Sequence, residues 1–207
     1  LTPFQGYEEL TNDHGQWLSM GVSPDNRLAV SYFDRTYGAL GFALGEPQDD
    51  GTVGWVHEQV DGYPDDNGLN PGVVGEFCSL AVAQSGIIWI SYTSKSNGAL
   101  KVAKRERKEW TVELVDVGSG LSPQTGLWSS IAIDANDQPV VAYHDATGGT
   151  LKVATRAEDG TWSNEVVHEG TEWTGTDANG DEITRDAKVG EFADLLIDGN
   201  TQYISFY

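Results

Sequence analysis

Apolar residues in this chain fall in short runs whose bulky and thin positions alternate, and clusters of Gly, Asn, Asp and Ser separate the runs. Four runs open alike: Gly15-Gln16-Trp17-Leu18-Ser19, Gly75-Glu76-Phe77-Cys78-Ser79, Gly126-Leu127-Trp128-Ser129-Ser130 and Gly190-Glu191-Phe192-Ala193-Asp194. Three positions beyond the aromatic stand Met20, Leu80, Ile131 and Leu195, and five beyond stand Val22, Val82, Ile133 and Ile197. Gly21, Ala81 and Ala132 lie between them in the first three copies. A period of two predicts a strand with one bulky and one thin face.

A second strand follows each opening at nearly fixed distance: Leu28 to Tyr32, Ile88 to Tyr92, Pro139 to Tyr143 and Gln202 to Phe206. Turn residues such as Pro24-Asp25-Asn26 and Gln84-Ser85-Gly86 join it to the first, which predicts a hairpin. A third strand begins at Gly38-Ala39-Leu40, Gly98-Ala99-Leu100 and Gly149-Thr150-Leu151, and a fourth opens on Trp55, Trp110 and Trp162. Glu58, Glu113 and Glu165 share one register on that fourth strand, expected to be its solvent side. Four short strands recurring about every 50 to 65 residues mark a β-propeller blade. The fold class is therefore all-β, a propeller of four-stranded antiparallel blades.

Three copies are complete, at about 15–61, 75–116 and 126–168, and a fourth, at 190–207, has its first half. Residues 1–14 are expected to hold an outer strand of a preceding blade, around Phe4 to Leu10. A lone blade cannot cover its two apolar faces, so blades must stack. An open arc leaves such faces and sheet edges bare. The remaining blades are therefore expected in a longer parent protein or in another chain, with a natural four-blade ring as the alternative. Trp17, Trp55, Trp110, Trp128 and Trp162 are expected to stack in the core between blades.

Twelve Lys and Arg against 32 Asp and Glu give a net charge of −20 and a pI near 4.2. Such a surface repels nucleic acid and anionic lipid, whose binding depends on cationic side chains. No apolar run approaches the roughly 18 residues of a membrane span, so no membrane insertion is expected. The one cysteine, Cys78, lies in a strand pattern and is expected to be a buried thiol, which excludes an intrachain disulfide framework.

The pattern aromatic-x-Ser-x-Ala, Ser-Tyr-x-Asp, Gly-x-Leu-Lys-x-Ala and Trp-x-x-Glu-x-Val resembles the tandem repeats of secreted bacterial propeller proteins. More distantly it is similar to sialidase-like (BNR, or Asp-box) propellers. Glu158-Asp159-Gly160-Thr161-Trp162 resembles an Asp-box ending, and the equivalents Lys108-Glu109-Trp110 and Thr52-Val53-Gly54-Trp55 depart from it. The resemblance implies an extracellular or cell-surface bacterial setting. It does not imply one activity, because propellers host hydrolases, lectins and scaffolds. Sialidase chemistry needs converging arginines, and Arg27, Arg105, Arg107 and Arg156 are read as exposed and dispersed.

Candidate sites follow from the topology, since loops joining strands two and three and those joining successive blades open on one face. That face gathers Asp34 and Asp145 at the ends of second strands, Asp65 and Asp66 in one connector, and Asp177, Asp181, Glu182 and Asp186 in another. Solvated loop charge is the simpler account of such a rim, with calcium or a basic partner as the functional reading. Asp177, Asn179 and Asp181 carry the spacing that opens a calcium loop, but Gly180 and Lys188 break the EF-hand pattern. His144 beside Asp145 forms a candidate acid–base pair with a polar rim residue as the simpler account. Trp173, Tyr37 and Tyr63 are the rim aromatics on which a sugar could stack. The reading is a non-catalytic binding or scaffolding propeller that requires no cofactor, with a protein or glycan as its unidentified ligand. A glycan-active enzyme with its residues on absent blades, or a lectin, is the alternative.

Overall fold

The computed structural model describes residues 13–65, 68–69 and 71–207, with the backbone alone at 185 and 186. The expected outer strand around Phe4 to Leu10, and Asp66, lie outside the described residues. Every regular element among them is a strand. The first blade runs β1 (His14–Val22), β2 (Leu28–Asp34), β3 (Ala39–Pro47) and β4 (Val53–Asp61), paired antiparallel in chain order. The second comprises β5 (Val74–Val82), β6 (Ile88–Ser94), β7 (Ala99–Glu106) and β8 (Glu109–Asp116), in the same order. The third comprises β9 (Thr125–Ile133), β10 (Pro139–Asp145), β11 (Thr150–Arg156) and β12 (Trp162–His168). After a hairpin, β13 (Glu172–Thr176) with β14 (Glu182–Asp186), the half blade β15 (Asp194–Asp198) and β16 (Thr201–Ser205) follows. The β-propeller arc read from the repeats is the observed architecture.

The core lies between blades. Leu40, Phe42 and Leu44 of the first pack on Leu80, Ile88, Ile90 and Tyr92 of the second. Leu100, Val102 and Val115 of the second meet Ile131, Val141 and Tyr143 of the third. Every residue of β6 and β10 is buried, which explains why second strands read as near-continuous apolar runs. Trp110 and Trp162 fill the outer part of these junctions as expected, but Trp55, with no described blade against its outer face, is 45% exposed.

The innermost strands approach so closely that two local rules fix their sequence. A Cβ at Gly75, Gly126 or Gly190 would sit 2.8, 2.8 or 3.0 Å from the Cα of Leu40, Leu100 or Leu151 in the preceding blade. Two residues on, Trp17, Phe77, Trp128 and Phe192 all take left-handed backbone, with φ between 49° and 56°. Non-glycine residues seldom adopt that region; here Trp17, Phe77 and Trp128 each mark a bulge in an inner strand, and Phe192 lies in the turn just before β15. Beyond the bulge, Ser19 Oγ accepts the Leu80 N–H at 2.9 Å, Ser79 Oγ that of Ile131 at 3.2 Å, and Ser130 Oγ that of Leu195 at 3.0 Å. The serine of each opening motif thus satisfies the next blade's free strand edge. Cys78 is buried as expected; its thiol donates to the Trp17 carbonyl, and burial pushes its pKa up to about 12.

Two polar clamps recur further out, and they revise the reading of the glutamates and arginines. Arg105 donates through Nε at 2.8 Å and through Nη2 to Glu58, which also accepts the Trp110 Nε1–H at 2.8 Å. Arg156 does the same to Glu113 at 2.9 and 3.0 Å, with Trp162 Nε1 at 2.7 Å. Glu58 and Glu113 are thus held between blades rather than turned to solvent, and Arg105 and Arg156 are 10% and 13% exposed rather than free. In the second clamp, Asp61 accepts from Tyr92 OH at 2.7 Å and Lys101 Nζ at 2.9 Å, and Asp116 accepts from Tyr143 OH and Lys152 Nζ.

Glycine at position 126 is expected to be irreplaceable. Gly126→Ala should cost roughly 2–4 kcal/mol, because left-handed strain adds to a backbone clash, and chemical denaturation measures it.

The clamps also fix an acid limit. Burial pushes the Glu58 carboxyl up, but hydrogen bonds from Arg105 and Trp110 outweigh it and hold it below its ordinary 4.5. Burial likewise raises Asp116, while bonds from Lys152, Tyr143 and the Gly118 N–H hold it below 3.8. A depressed carboxyl stabilises the fold above its unfolded pKa and loses that contribution as pH falls through the folded value. Melting temperature should therefore hold from pH 7 to about 5 and drop below about pH 4. Arg105→Met should flatten part of that drop in a calorimetric pH series.

Candidate functional site

Left-handed backbone at four aromatic residues, three of them at strand bulges, turns their rings toward the axis of the arc, at the end where the inner strands begin. Trp17 and Phe77 have ring centroids 5.0 Å apart, Phe77 and Trp128 4.5 Å, and Trp128 and Phe192 4.1 Å. Together they form a ledge over a shallow hollow of about 210 Å³ that Leu18, Cys78, Ser129 and Ala193 also line. The sequence motif placed Trp17 and Trp128 in the core between blades. Trp17 does pack on the core between the first and second blades, while Trp128 is half-buried beside Phe192, which is 60% exposed.

From Phe77 the ledge opens into a larger cleft of about 550 Å³ between the second and third blades. Glu76 and Phe77 come from β5, Thr93 from the end of β6, and Lys95 to Gly98 from the loop between β6 and β7. The facing wall is Leu121 to Gln124, from the connector into the third blade, and Leu127 of β9. Several bonds set this shape: Thr93 Oγ1 donates to the Gly126 carbonyl, Ser96 Oγ to that of Val73 at 3.1 Å, and Gln124 N–H to Thr147 Oγ1 at 2.8 Å. Lys95 Nζ lies 3.4 Å from Glu76 Oε1, giving the cleft one cation and one carboxylate side by side. Leu121 stands fully exposed on the rim. The cleft thus offers an aromatic edge, aliphatic side chains and amide, hydroxyl and charged groups within one volume, the composition expected of a small-molecule site.

The rim carboxylates have other employment. Asp34 is buried; it accepts the Thr36 N–H at 3.0 Å and Tyr63 OH at 3.1 Å, and His14 Nε2 lies 3.1 Å away. Burial and the Asp34 charge push the Tyr63 phenol well above its ordinary pKa. Asp145 accepts the N–H groups of Thr147 and Gly148 at 3.1 and 3.2 Å and sits 3.7 Å from Lys152 Nζ. His144 is buried rather than at the rim, with Nδ1 2.7 Å from the Val189 carbonyl. A carbonyl only accepts, so Nδ1 carries the proton there. Asp65 caps its own turn by accepting the Leu69 N–H at 2.9 Å.

Asp177, Asn179 and Asp181 form the turn between β13 and β14. Asp177 Oδ1 accepts the N–H of Asn179 at 2.8 Å and of Asp181 at 3.0 Å, and these bonds hold its pKa below the ordinary value. Asp134 caps the turn between β9 and β10 through the same bonds to Asn136 and Gln138. No group of three or more His, Cys, Asp or Glu side chains among the described residues is arranged to hold a metal ion. The hairpin was not legible as strands, and it carries Trp173 at 52% exposure beside exposed Glu172 and Glu182. Asp159 accepts both N–H and Oγ1–H of Thr161 in the Asp-box-like turn, and Asp50 does the same with Thr52. That turn therefore occurs in the first blade as well as the third.

No protein-family model matches the chain, and no curated protein matches it. Among solved structures it is similar to a fucose lectin from Kordia zhangzhouensis in complex with methyl-fucoside, at 12% identity and TM-score 0.45, covering 73% of this chain and 99% of that one. It is also similar to an exo-β-1,3-galactanase from Clostridium thermocellum, at 11% identity and TM-score 0.48, covering 84% of this chain and 41% of that one. A bifunctional GH43-CE protein from Bacteroides eggerthii gives 13% identity and TM-score 0.48, with 94% of this chain and 26% of that one covered. The chain thus spans nearly all of the lectin but less than half of the galactanase and about a quarter of the bifunctional protein.

Asp34→Ala is expected to act on stability, because it strips a half-buried phenol and a loop N–H of their acceptor. The cost should be about 2–4 kcal/mol, well above that of Asp177→Ala at its exposed turn. Paired denaturant titrations measure both.

Proposed function

We propose that the chain is a non-catalytic binding module that takes a carbohydrate in the cleft between the second and third blades. The observation that carries this reading is the joining of the aromatic ledge to a cleft of about 550 Å³ lined by Lys95, Glu76, Asn97 and Gln124. A saccharide presents apolar C–H faces that lie against aromatic and aliphatic side chains. Its hydroxyls both donate and accept, which suits amide, carboxylate and ammonium groups set close together. Glu76 is the one carboxylate among the described lining residues, whereas glycoside hydrolysis ordinarily uses two flanking the scissile bond. From the resemblance of the repeats we extend the proposal to an extracellular or cell-surface setting.

A second reading, a basic protein partner, is favoured by the β13–β14 hairpin, which presents Glu172, Asp177, Asp181 and Glu182 around exposed Trp173. Its attraction would be long-ranged and salt-sensitive. Saccharide binding in the cleft would depend little on salt.

The intact chain, titrated calorimetrically with neutral and acidic oligosaccharides, is expected to bind one class saturably and to release no shortened product. Leu121→Ala and Lys95→Ala, both at exposed cleft positions, should each weaken that binding by about tenfold. Sustained product release would overturn the non-catalytic part. Binding unchanged by both substitutions, or lost on Trp173→Ala instead, would move the ligand off the cleft.

A further inference from the structure

The polar clamp that seals the first two junctions is half built at the third. Glu58, Glu113 and Glu165 hold one register, opposite Phe42, Val102 and Val153 on their neighbouring third strands. The first two accept an arginine and an indole N–H from the following blade. Glu165 is exposed, and no hydrogen bond or ion pair reaches it among the described residues. Two positions on, Val115 of the second blade is 7% exposed and its counterpart Val167 of the third is 48% exposed. The half blade beside it is a two-stranded sheet, so β16 has β15 on one edge and no described strand on the other.

We propose that this outer half of the third junction is a docking site for a β-hairpin of the repeat's own third-and-fourth-strand type. The hairpin pairs with the open edge of β16 and covers Val167. It brings an arginine and a tryptophan, placed as Arg156 and Trp162 are, onto Glu165. Continuity with the two finished clamps defines this occupant, and the paired charges select it.

The second clamp refines the description. Asp61 and Asp116 each take a tyrosine hydroxyl and a lysine from the next blade. At the third junction His168 stands in the aspartate's place and Phe206 in the tyrosine's, with ring centroids 5.5 Å apart. A histidine and a phenylalanine with their rings tilted against each other offer no carboxylate, so the incoming hairpin has no need of the lysine found at Lys101 and Lys152. A second copy of this chain does not fit as the occupant. Its first blade carries Gly41 and Gly45 where the later blades carry Lys101 and Arg105, or Lys152 and Arg156, and so offers no cation to Glu165.

A fluorescent synthetic peptide spanning residues 149–168 tests this when titrated into the intact 207-residue chain and followed by anisotropy. Saturable one-to-one binding is expected. Arg156→Leu in the peptide, or Glu165→Gln in the chain, should weaken it roughly 10- to 100-fold. Lys152→Gln in the peptide should leave it unchanged. Absence of saturable binding, or equal affinity for Glu165→Gln, would overturn the proposal. So would self-association of the chain alone that Glu165→Gln abolishes in sedimentation, because the occupant would then be a second copy. Oligosaccharide binding in the cleft is read separately and is unaffected by any of these results.

Discussion

Each four-stranded sheet here is greasy on both faces, and neither face can be hidden from water except by another sheet laid against it. Burying side chains of the size of Phe42, Ile90 or Val141 contributes roughly 1.5–3 kcal/mol each. Most of the stabilisation therefore sits between blades rather than within them. The requirement is hardest to meet near the axis, where inner strands converge. There the backbone of one blade touches that of the next at Gly75, Gly126 and Gly190, and serine hydroxyls close the spare strand bonds. The aromatic ledge is a by-product of that convergence. The left-handed backbone that lets the chain turn there also swings Trp17, Phe77, Trp128 and Phe192 out of the sheet and toward the axis.

Further from the axis the gap widens, and hydrophobic contact alone no longer fixes how one sheet sits on the next. The Glu–Arg–Trp and Asp–Tyr–Lys clamps occur there. Charged groups brought partly out of water return little net stability, but a misplaced neighbour would leave them unpaired. They are best understood as setting register between blades that aliphatic packing would allow to slide. The same clamps account for eight carboxylate and cationic side chains (Glu58, Arg105, Glu113, Arg156, Asp61, Lys101, Asp116 and Lys152) that in sequence look like surface charge.

The blades were legible because their signals are local. Alternation of period two, a turn cluster and an opening Gly-x-aromatic all lie within a few residues of one another. Cys78 was legible for the same reason. What joins distant residues was not: Glu58 meets Arg105 across 47 positions, and no local pattern announces the pair. The ledge was missed because left-handed backbone at Trp17 or Trp128 carries no glycine to flag it. The β13–β14 hairpin was missed because Glu172 to Thr176 alternates nothing apolar, being held in place by its turn and its ladder instead. The rim acids were legible as a concentration of charge but not as donors' partners, since Asp34 and Asp145 spend their oxygens on their own loops and on Tyr63 or Lys152.

The bare glycines at 41 and 45 have a consequence for how such an arc can be rearranged. Although the copies share one pattern, they are not interchangeable modules, because every seam is written half on each side of it. Permuting the order would set a carboxylate opposite an empty position, and the first copy transplanted to the interior would leave its upstream neighbour's acids unanswered. The seams thus carry a direction, with the first copy fit to stand before the second and unfit to follow the third.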